Sequence, residues 1–271
     1  MTGSQLLPTD GVQRMVELYH FEPNANGGKP IMALNEKGVP FTSHWVDLLN
    51  FQQHTPQYLA INPKGQVPTL VHDGIVITES TPMGEYIDEA FAGPPLRPRD
   101  PLERWRMRSW SRFADEYLGP SLSMLGWSRG IVPLMRKKSP AELERALQAI
   151  PTEERRRAWS KTIHNTFTEP ELEESRRRLT VSAGRLEAQL RQQPWLAGST
   201  YSLADINVFN MAAALPHFMP AIVNEKATPH LLEWLLRVGS RPAIRAALAL
   251  SRNSLRPPDG APPAGVTGGA R

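Results

Sequence analysis

An α/β domain followed by an all-helical one is the fold class this sequence predicts, and three observations carry it. Two short runs rich in β-branched residues, Thr69-Leu70-Val71 and Ile75-Val76-Ile77-Thr78, flank Asp73-Gly74, a dipeptide suited to a tight hairpin turn. Alternating and amphipathic segments interleave between Met15 and Ala92, whereas beyond a proline-rich stretch at 93–101 the apolar residues recur at helical spacing. A chain of 271 residues is comfortable for two small domains.

Taken in order, Met15 to Tyr19 alternates as a first strand. A loop crowded with Pro, Asn and Gly (His20 to Pro30) then leads into a helix holding Ile31, Leu34 and Val39. A second strand is predicted over Phe41 to Val46, before the Gln53-His54 loop and a short helical segment near Tyr58. Pro68 stands where a strand start tolerates a residue without an N–H. The Val67-Pro68 bond follows a glycine-containing loop and is a candidate for the cis form, which would turn the Val67 N–H and C=O outward to pair with another backbone. After the hairpin, Met83, Tyr86, Ile87 and Ala90 mark an amphipathic helix opened by Glu79 and Ser80. A helix N-terminus of this kind can seat a carboxylate; alternatively Ser80 only caps it.

The first domain is therefore expected to span 15–92 and the linker 93–101, whose four prolines cannot continue a helix. The helical domain is expected to run from 102 to 254. Met1 to Arg14 reads as an extension outside or loosely packed on the fold, and Leu255 onward, rich in Pro, Gly and Ala, as a disordered tail. Trp110, Phe113, Tyr117 and Met124 fall on one helical face, and Leu179, Ala183, Leu186 and Leu190 mark another helix. Between them, 126–168 is mostly charged and interrupted by Pro133, Pro140 and Pro151, so it reads as an excursion, either a lid or a plain surface insertion. Ser202 and Asp205 form a capping box with Tyr201 and Ile206 at the staple positions, a cap of about 1 kcal/mol. Leu231, Leu232, Leu235 and Val238, then Arg241-Pro242-Ala243-Ile244, complete the helices.

Composition excludes several classes of function. No apolar run approaches the ~18 residues of a membrane span, and the N-terminus lacks the basic and apolar regions of a signal peptide, so the expected location is cytoplasmic, with no membrane partner. Net charge is +4, from 31 basic and 27 acidic residues. The runs Arg155-Arg156-Arg157 and Arg176-Arg177-Arg178 each follow a pair of glutamates, which predicts solvated helix faces rather than a nucleic-acid site. A mildly basic surface still favours an anionic small molecule. There are no cysteines, so neither disulfides nor a mixed disulfide with a protein thiol are available; the seven histidines are scattered, and no metal is expected.

The string Gln66-Val67-Pro68, a hairpin, then Glu79-Ser80 resembles the glutathione-binding half of the glutathione S-transferases, whose first domain is thioredoxin-like. The resemblance implies that Val67, before Pro68, pairs its backbone with the cysteinyl part of glutathione. It implies that Glu79 and Ser80 hold the γ-glutamyl end, and that Gln53-His54 reaches the glycyl carboxylate. Within that family the chain resembles the bacterial β-aryl-etherases that cleave lignin-derived dimers. The matching strings include Leu18-Tyr19, Ala25-Asn26 with Lys29-Pro30, Glu36-Lys37-Gly38, Gln53-His54, Ile61-Asn62-Pro63, Thr78-Glu79-Ser80-Thr81, Leu96-Arg97-Pro98, Asp115-Glu116-Tyr117, Gly126-Trp127, Pro194-Trp195-Leu196-Ala197-Gly198 and Leu203-Ala204-Asp205-Ile206, over roughly Val16 to Ser254. One departure matters. Gly27 stands where the resemblance leads one to expect a serine, so activation by a serine hydroxyl is out of reach.

Glutathione must react as a thiolate. Lowering a thiol pKa from about 8.5 by two units takes about 2.7 kcal/mol of preferential stabilisation, within reach of one or two hydrogen bonds and a helix dipole. Asn26 is the first candidate donor, with Asn24 and the backbone N–H groups of Gly27 and Gly28 beside it and Tyr19 weaker; an ordinary turn is the alternative reading. The reaction implied is attack on the carbon bearing an aryl ether next to a ketone, with a phenolate as leaving group. Trp110, Tyr117, Trp127, Phe209, His217 and Phe218 are candidates for an aromatic pocket, or else core residues. Two other readings stay open: a transferase for halides or epoxides, and a non-catalytic glutathione-binding or interaction module. A homodimer is expected from the resemblance alone.

Overall fold

A computed structural model gives the fold and describes residues 15–252, so the expected extension to Arg14 and the tail from Leu255 lie outside the described residues. β1 (Val16–His20) buries Val16, Leu18 and His20 on alternate positions, as a half-buried strand should. It is followed by α1 (Gly28–Lys37), which ends at Gly38 in the left-handed conformation (φ 67°). Val39 therefore lies beyond the helix, where it packs on the core from the chain that leads into β2 (Thr42–Trp45). Two tight turns over 48–54 and the short α2 (Pro56–Leu59) lead to the hairpin of β3 (Thr69–His72) and β4 (Ile75–Ile77). Asp73 (φ 50°) and Gly74 (φ 81°) occupy its turn, the two positive-φ positions a twisted hairpin requires.

The sheet order is β2-β1-β3-β4: β1 and β2 run parallel, and β3 is antiparallel to both β1 and β4. Leu18 pairs with Leu70, placing two fully buried side chains at the centre of the sheet. α3 (Ser80–Ala90) and α1 pack against this sheet through Ile31, Leu34, Met83 and Ile87.

From Pro101 the chain is helical. α4 (Pro101–Phe113), a π turn at Ala114–Leu118, α5 (Gly119–Gly126), a second π turn at Trp127–Ile131 and α6 (Val132–Met135) form a nearly continuous rod. A π turn adds a residue to the helical register. This is why Trp110 to Tyr117 and Met124 do not share a face, contrary to the sequence reading: Trp110 and Phe113 pack under Arg185 of the neighbouring helix, whereas Met124 faces a cavity.

The segment 126–168 is not an irregular excursion. It folds into the second π turn, α6, α7 (Pro140–Gln148) and α8 (Glu153–Ile163). Leu143, Leu147, Ile150 and Trp159 are spaced to bury one face against Phe51 of the first domain. α9 (Glu169–Gln192), α10 (Leu203–Ala212), the short α11 (Leu215–Phe218), α12 (Pro229–Gly239) and α13 (Pro242–Leu248) complete the domain. α10 is buried along its whole length, and its Ser202–Asp205 capping box is formed. α13 packs back on α1.

Candidate active site

Part of the sequence-selected set comes together between the loop before α1 and the start of α3, where Asn26, Glu79 and Ser80 line one cavity with Trp127. The Val67–Pro68 bond is cis. The turn before it is pinned by Tyr58 and by Asn62 of the Ile61-Asn62-Pro63 string. Tyr58 donates its hydroxyl to the Gln66 carbonyl (2.6 Å), and Asn62 donates its side-chain amide to the same carbonyl (2.9 Å) and to Thr69 Oγ1 (2.9 Å). Burial pushes the Tyr58 phenol up to about 12, so it stays a donor. Gln66 is thereby held by its backbone, while Val67 makes no hydrogen bond of its own and offers its N–H and C=O.

At the start of α3, Glu79 adopts φ 68°, a conformation that costs a non-glycine residue of order 1 kcal/mol or more and persists where the surroundings enforce it. Ser80 is the first helical residue rather than the cap, and no side-chain capping bond forms. The N–H groups of Ser80 and Thr81 open the helix, and Pro82 has none to offer. The Glu79 carboxylate accepts from Lys64 Nζ at 3.0 Å on the exposed rim.

Below Thr81 lies a buried ammonium. Lys29, in the first turn of α1, donates to Thr81 Oγ1 (3.2 Å) and pairs with Asp115 on the first π turn. Its side chain is 0% exposed and that of Asp115 37%. Burial pulls the Lys29 pKa down against the pull of Asp115, so the pair ties α1 to the helical rod.

These parts open on a cavity of about 580 Å³. Asn26, Glu79, Ser80 and Thr81 form one wall, Asp115, Met124 and Trp127 of the rod another, and Arg155, Ala158 and Lys161 of α8 a third. Of the sequence-selected residues, Asn26, Glu79, Ser80 and Trp127 line it. Asn24 is exposed outside it, and Gly27 precedes α1 with its backbone in helical conformation. The Gly28 N–H is taken by the Ala25 carbonyl (3.0 Å). Tyr19 turns to the other face of β1, donating to Glu17 and stacking on His44 at 4.4 Å; burial and the neighbouring Glu17 charge push its phenol up.

The other aromatic candidates stand elsewhere. Tyr117 stacks on Phe113 (5.6 Å) beneath Arg178, and Trp110 packs edge-on to the same ring under Arg185. Phe209 is buried against Trp234, while His217 is exposed beside Phe218, which carries Arg129 over its ring. Gln53 and His54 are both buried and do not line the cavity, and His54 is pushed down to about 4 by burial and by the charge of Arg155. Arg155 itself was missed: it belongs to a run read as a solvated face, yet it points inward while Arg156 and Arg157 are exposed. Its one legible signal is its place four residues before Trp159, on the side of α8 that packs inward.

Among the described residues there is no group of three or more His, Asp or Glu arranged to hold a metal, and no helix is long and apolar enough to cross a membrane.

Comparison with known proteins agrees with this architecture. The glutathione S-transferase N-terminal domain matches residues 27–90 and the C-terminal domain residues 131–242. The chain is 40% identical over 243 residues to protein LigF of Sphingobium sp. strain SYK-6, covering 88% of this chain and 94% of that one. The crystal structure of that protein, described as a beta-etherase, superposes with a TM-score of 0.84 over 88% of this chain and 100% of its own. Glutathione S-transferase F10 of Arabidopsis thaliana is 29% identical over 83% of this chain and 93% of its own. FzlA from C. crescentus is 26% identical with a TM-score of 0.69, over 90% of this chain and 96% of its own. On the two domain matches and the extent of these likenesses, the chain belongs to the glutathione S-transferase family.

Proposed function

We propose that this glutathione S-transferase-family enzyme is a glutathione-dependent β-etherase acting on α-keto β-aryl ether dimers of the kind lignin yields. The observation that carries the reading is one cavity of about 580 Å³ walled both by the start of α3, with Glu79, Ser80 and Thr81, and by Met124, Trp127 and Phe167 of the helical domain. The 40% identity to a beta-etherase over most of both chains supports the substrate class.

In the proposed reaction a C–S bond forms at the β-carbon as its C–O bond breaks. The ether electron pair leaves with the phenolate, which takes up a proton, and a glutathionyl ketone remains. With phenol pKa values near ~10, the leaving group needs no strong general acid. The work left to the protein is to align thiolate and carbon and to exclude water. Asn26, exposed at the loop tip on the cavity wall, is assigned the contact to sulfur; Val67 the cysteinyl backbone; and Glu79 with Ser80 the γ-glutamyl end.

We further infer a cytoplasmic homodimer. Exposed Leu102 and Trp105 on α4, with Ile75 and Val76 on the edge strand β4, give apolar surface suited to a second copy. Sedimentation of the protein checks this.

The test of the activity is product analysis by mass spectrometry after incubation with glutathione and an α-keto β-aryl ether dimer. Release of the phenol together with the glutathionyl ketone is expected. Their absence, in a protein that glutathione still stabilises against heat, would leave the glutathione site standing and remove the substrate.

A further inference from the structure

α8 meets the first domain through a stack of rings. Trp159 packs on Phe51 and on Trp127, each at 4.9 Å between centroids. Arg155 precedes Trp159 by four residues and so shares its side of the helix. This carries the guanidinium into the cavity wall and close enough to the Gln53–His54 turn for its charge to act on His54.

The guanidinium is partly desolvated and, among the described residues, has no carboxylate in ion-pair contact, Glu154 acting on it only through space; its Nε is a buried donor without a partner. The other cations near the cavity are committed, Lys161 to Glu171 and Lys29 to Asp115. Gln53 Oε1 is likewise a buried acceptor without a partner, and the buried His54 ring nitrogens have only the Gly65 backbone acting on them by hydrogen bonding. A desolvated cation without an ion-pair partner is costly, and so is each buried polar atom left without one. The set asks for a ligand that brings a negative charge with acceptor oxygens for the guanidinium and imidazole and an N–H for the amide oxygen. A carboxylate attached one carbon from a peptide N–H has that pattern. His54 cannot supply the positive charge itself, being neutral at physiological pH.

We propose that Arg155, from the helical domain, supplies the cationic contact to the glycyl carboxylate of glutathione, with the uncharged Gln53–His54 turn as its polar backing. The assignment rests on the reading of this cavity as a glutathione site. It also makes α8 part of the co-substrate site, so that the domain facing the second substrate takes hold of the first.

The experiment is calorimetric titration of the whole protein with glutathione and with its glycine carboxamide analogue. The wild type is expected to prefer glutathione by about ten- to a hundred-fold, the range of a hydrogen-bonded charge. Arg155→Gln should lose that factor for glutathione and bind the two ligands alike, Arg155→Lys should keep part of the preference, and His54→Gln should keep most of it. Circular dichroism checks that each variant is folded. Retention of the full preference by Arg155→Gln overturns the proposal. So does unchanged glutathione affinity with a raised KM for the aryl ether, which would place the guanidinium on the aromatic substrate. A folded wild type that binds neither ligand overturns the glutathione reading itself, an outcome distinct from the other two.

Discussion

Replacing Asp205 by alanine tests how the two domains' common core is held. The carboxylate is fully buried at the start of α10 and accepts from the backbone N–H of Ser202 (3.0 Å), the backbone N–H of Leu196 (3.1 Å) and Trp234 Nε1 (2.9 Å). Truncation strands three buried N–H donors at about 2 kcal/mol each, a loss of about 6 kcal/mol, while the Ser202 hydroxyl, 3.4 Å from the same carboxylate, can rotate to another acceptor. Against this, the native state at pH 7 must bury a charge: despite those bonds, burial pushes Asp205 up to about 6 from 3.8. That shift of about two units is worth about 3 kcal/mol at neutral pH. The net penalty of Asp205→Ala is therefore about 3 kcal/mol at pH 7, or a fall in Tm on the order of 6–12 °C.

The sign of the pH dependence follows from the same shift. A carboxyl whose folded pKa lies above its unfolded value stabilises the native state fully below about 4, and that contribution is lost as pH rises through about 6. The penalty of Asp205→Ala should thus grow toward about 6 kcal/mol as the pH is lowered from 7 to 4. Urea denaturation of both proteins, followed by tryptophan fluorescence, reads this directly, with other carboxylates cancelling in the difference. A penalty below about 1 kcal/mol at pH 7, or one that shrinks on acidification, would refute the reasoning.

Asp115→Ala should destabilise by about 3–5 kcal/mol because it strands the Lys29 ammonium in the interior, whereas Lys29→Met leaves a carboxylate that water already reaches and should cost less than about 2 kcal/mol; denaturation midpoints decide the order. Asn26→Ala should lower turnover by about ten-fold or more while leaving the glutathione Kd near that of the wild type, and unchanged turnover would move the credit to backbone donors. Trp159→Ala removes the ring between Phe51 and Trp127 and should cost about 3–5 kcal/mol, with α7 and α8 the first segments cut in limited proteolysis.

Local signals explain why the first domain was legible. Asp73-Gly74 fixes a hairpin and Pro68 marks a strand start there, and in the helical domain Ser202 with Asp205 fixes a cap, each through chemistry confined to a few residues. The cavity was not legible in the same way. The aromatic stripe has an ideal 3.6-residue period in the sequence, and the π turn at Ala114–Leu118 breaks that period, so that Met124 beyond it lines the cavity while Trp110 and Tyr117 lie under arginines. The charged composition of 126–168 hid its apolar spacing, because Leu143, Leu147, Ile150 and Trp159 are few among many charges and their partner Phe51 lies about a hundred residues away. Lys29 and Arg155 carry no sequence mark of burial, since long cations normally snorkel to water. Their position depends on tertiary neighbours alone.

The same dependence bears on the choice of donor in the loop before α1. That loop and the helix it opens are held from behind by the end of the helical domain: in the loop Glu22 accepts from the Arg252 N–H (3.0 Å) and from the Ser251 hydroxyl, and in α1 Glu36 is gripped by Arg241 through two hydrogen bonds (2.6 and 2.8 Å) while Asn35 donates to the Ala243 carbonyl (3.0 Å). Asn210 of α10 crowds Gly28 so closely that a Cβ there would collide with its Oδ1 and with the Pro23 carbonyl. A Cβ on Gly27 would press on the Glu22 carbonyl at 3.2 Å, with that carbonyl's own carboxylate already tied down. Serine at 27 would thus need a loop that can give by a few tenths of an ångström. With Gly28 closed to side chains, Gly27 tight and Asn24 outside the cavity, the side-chain contact proposed for the thiolate falls to Asn26.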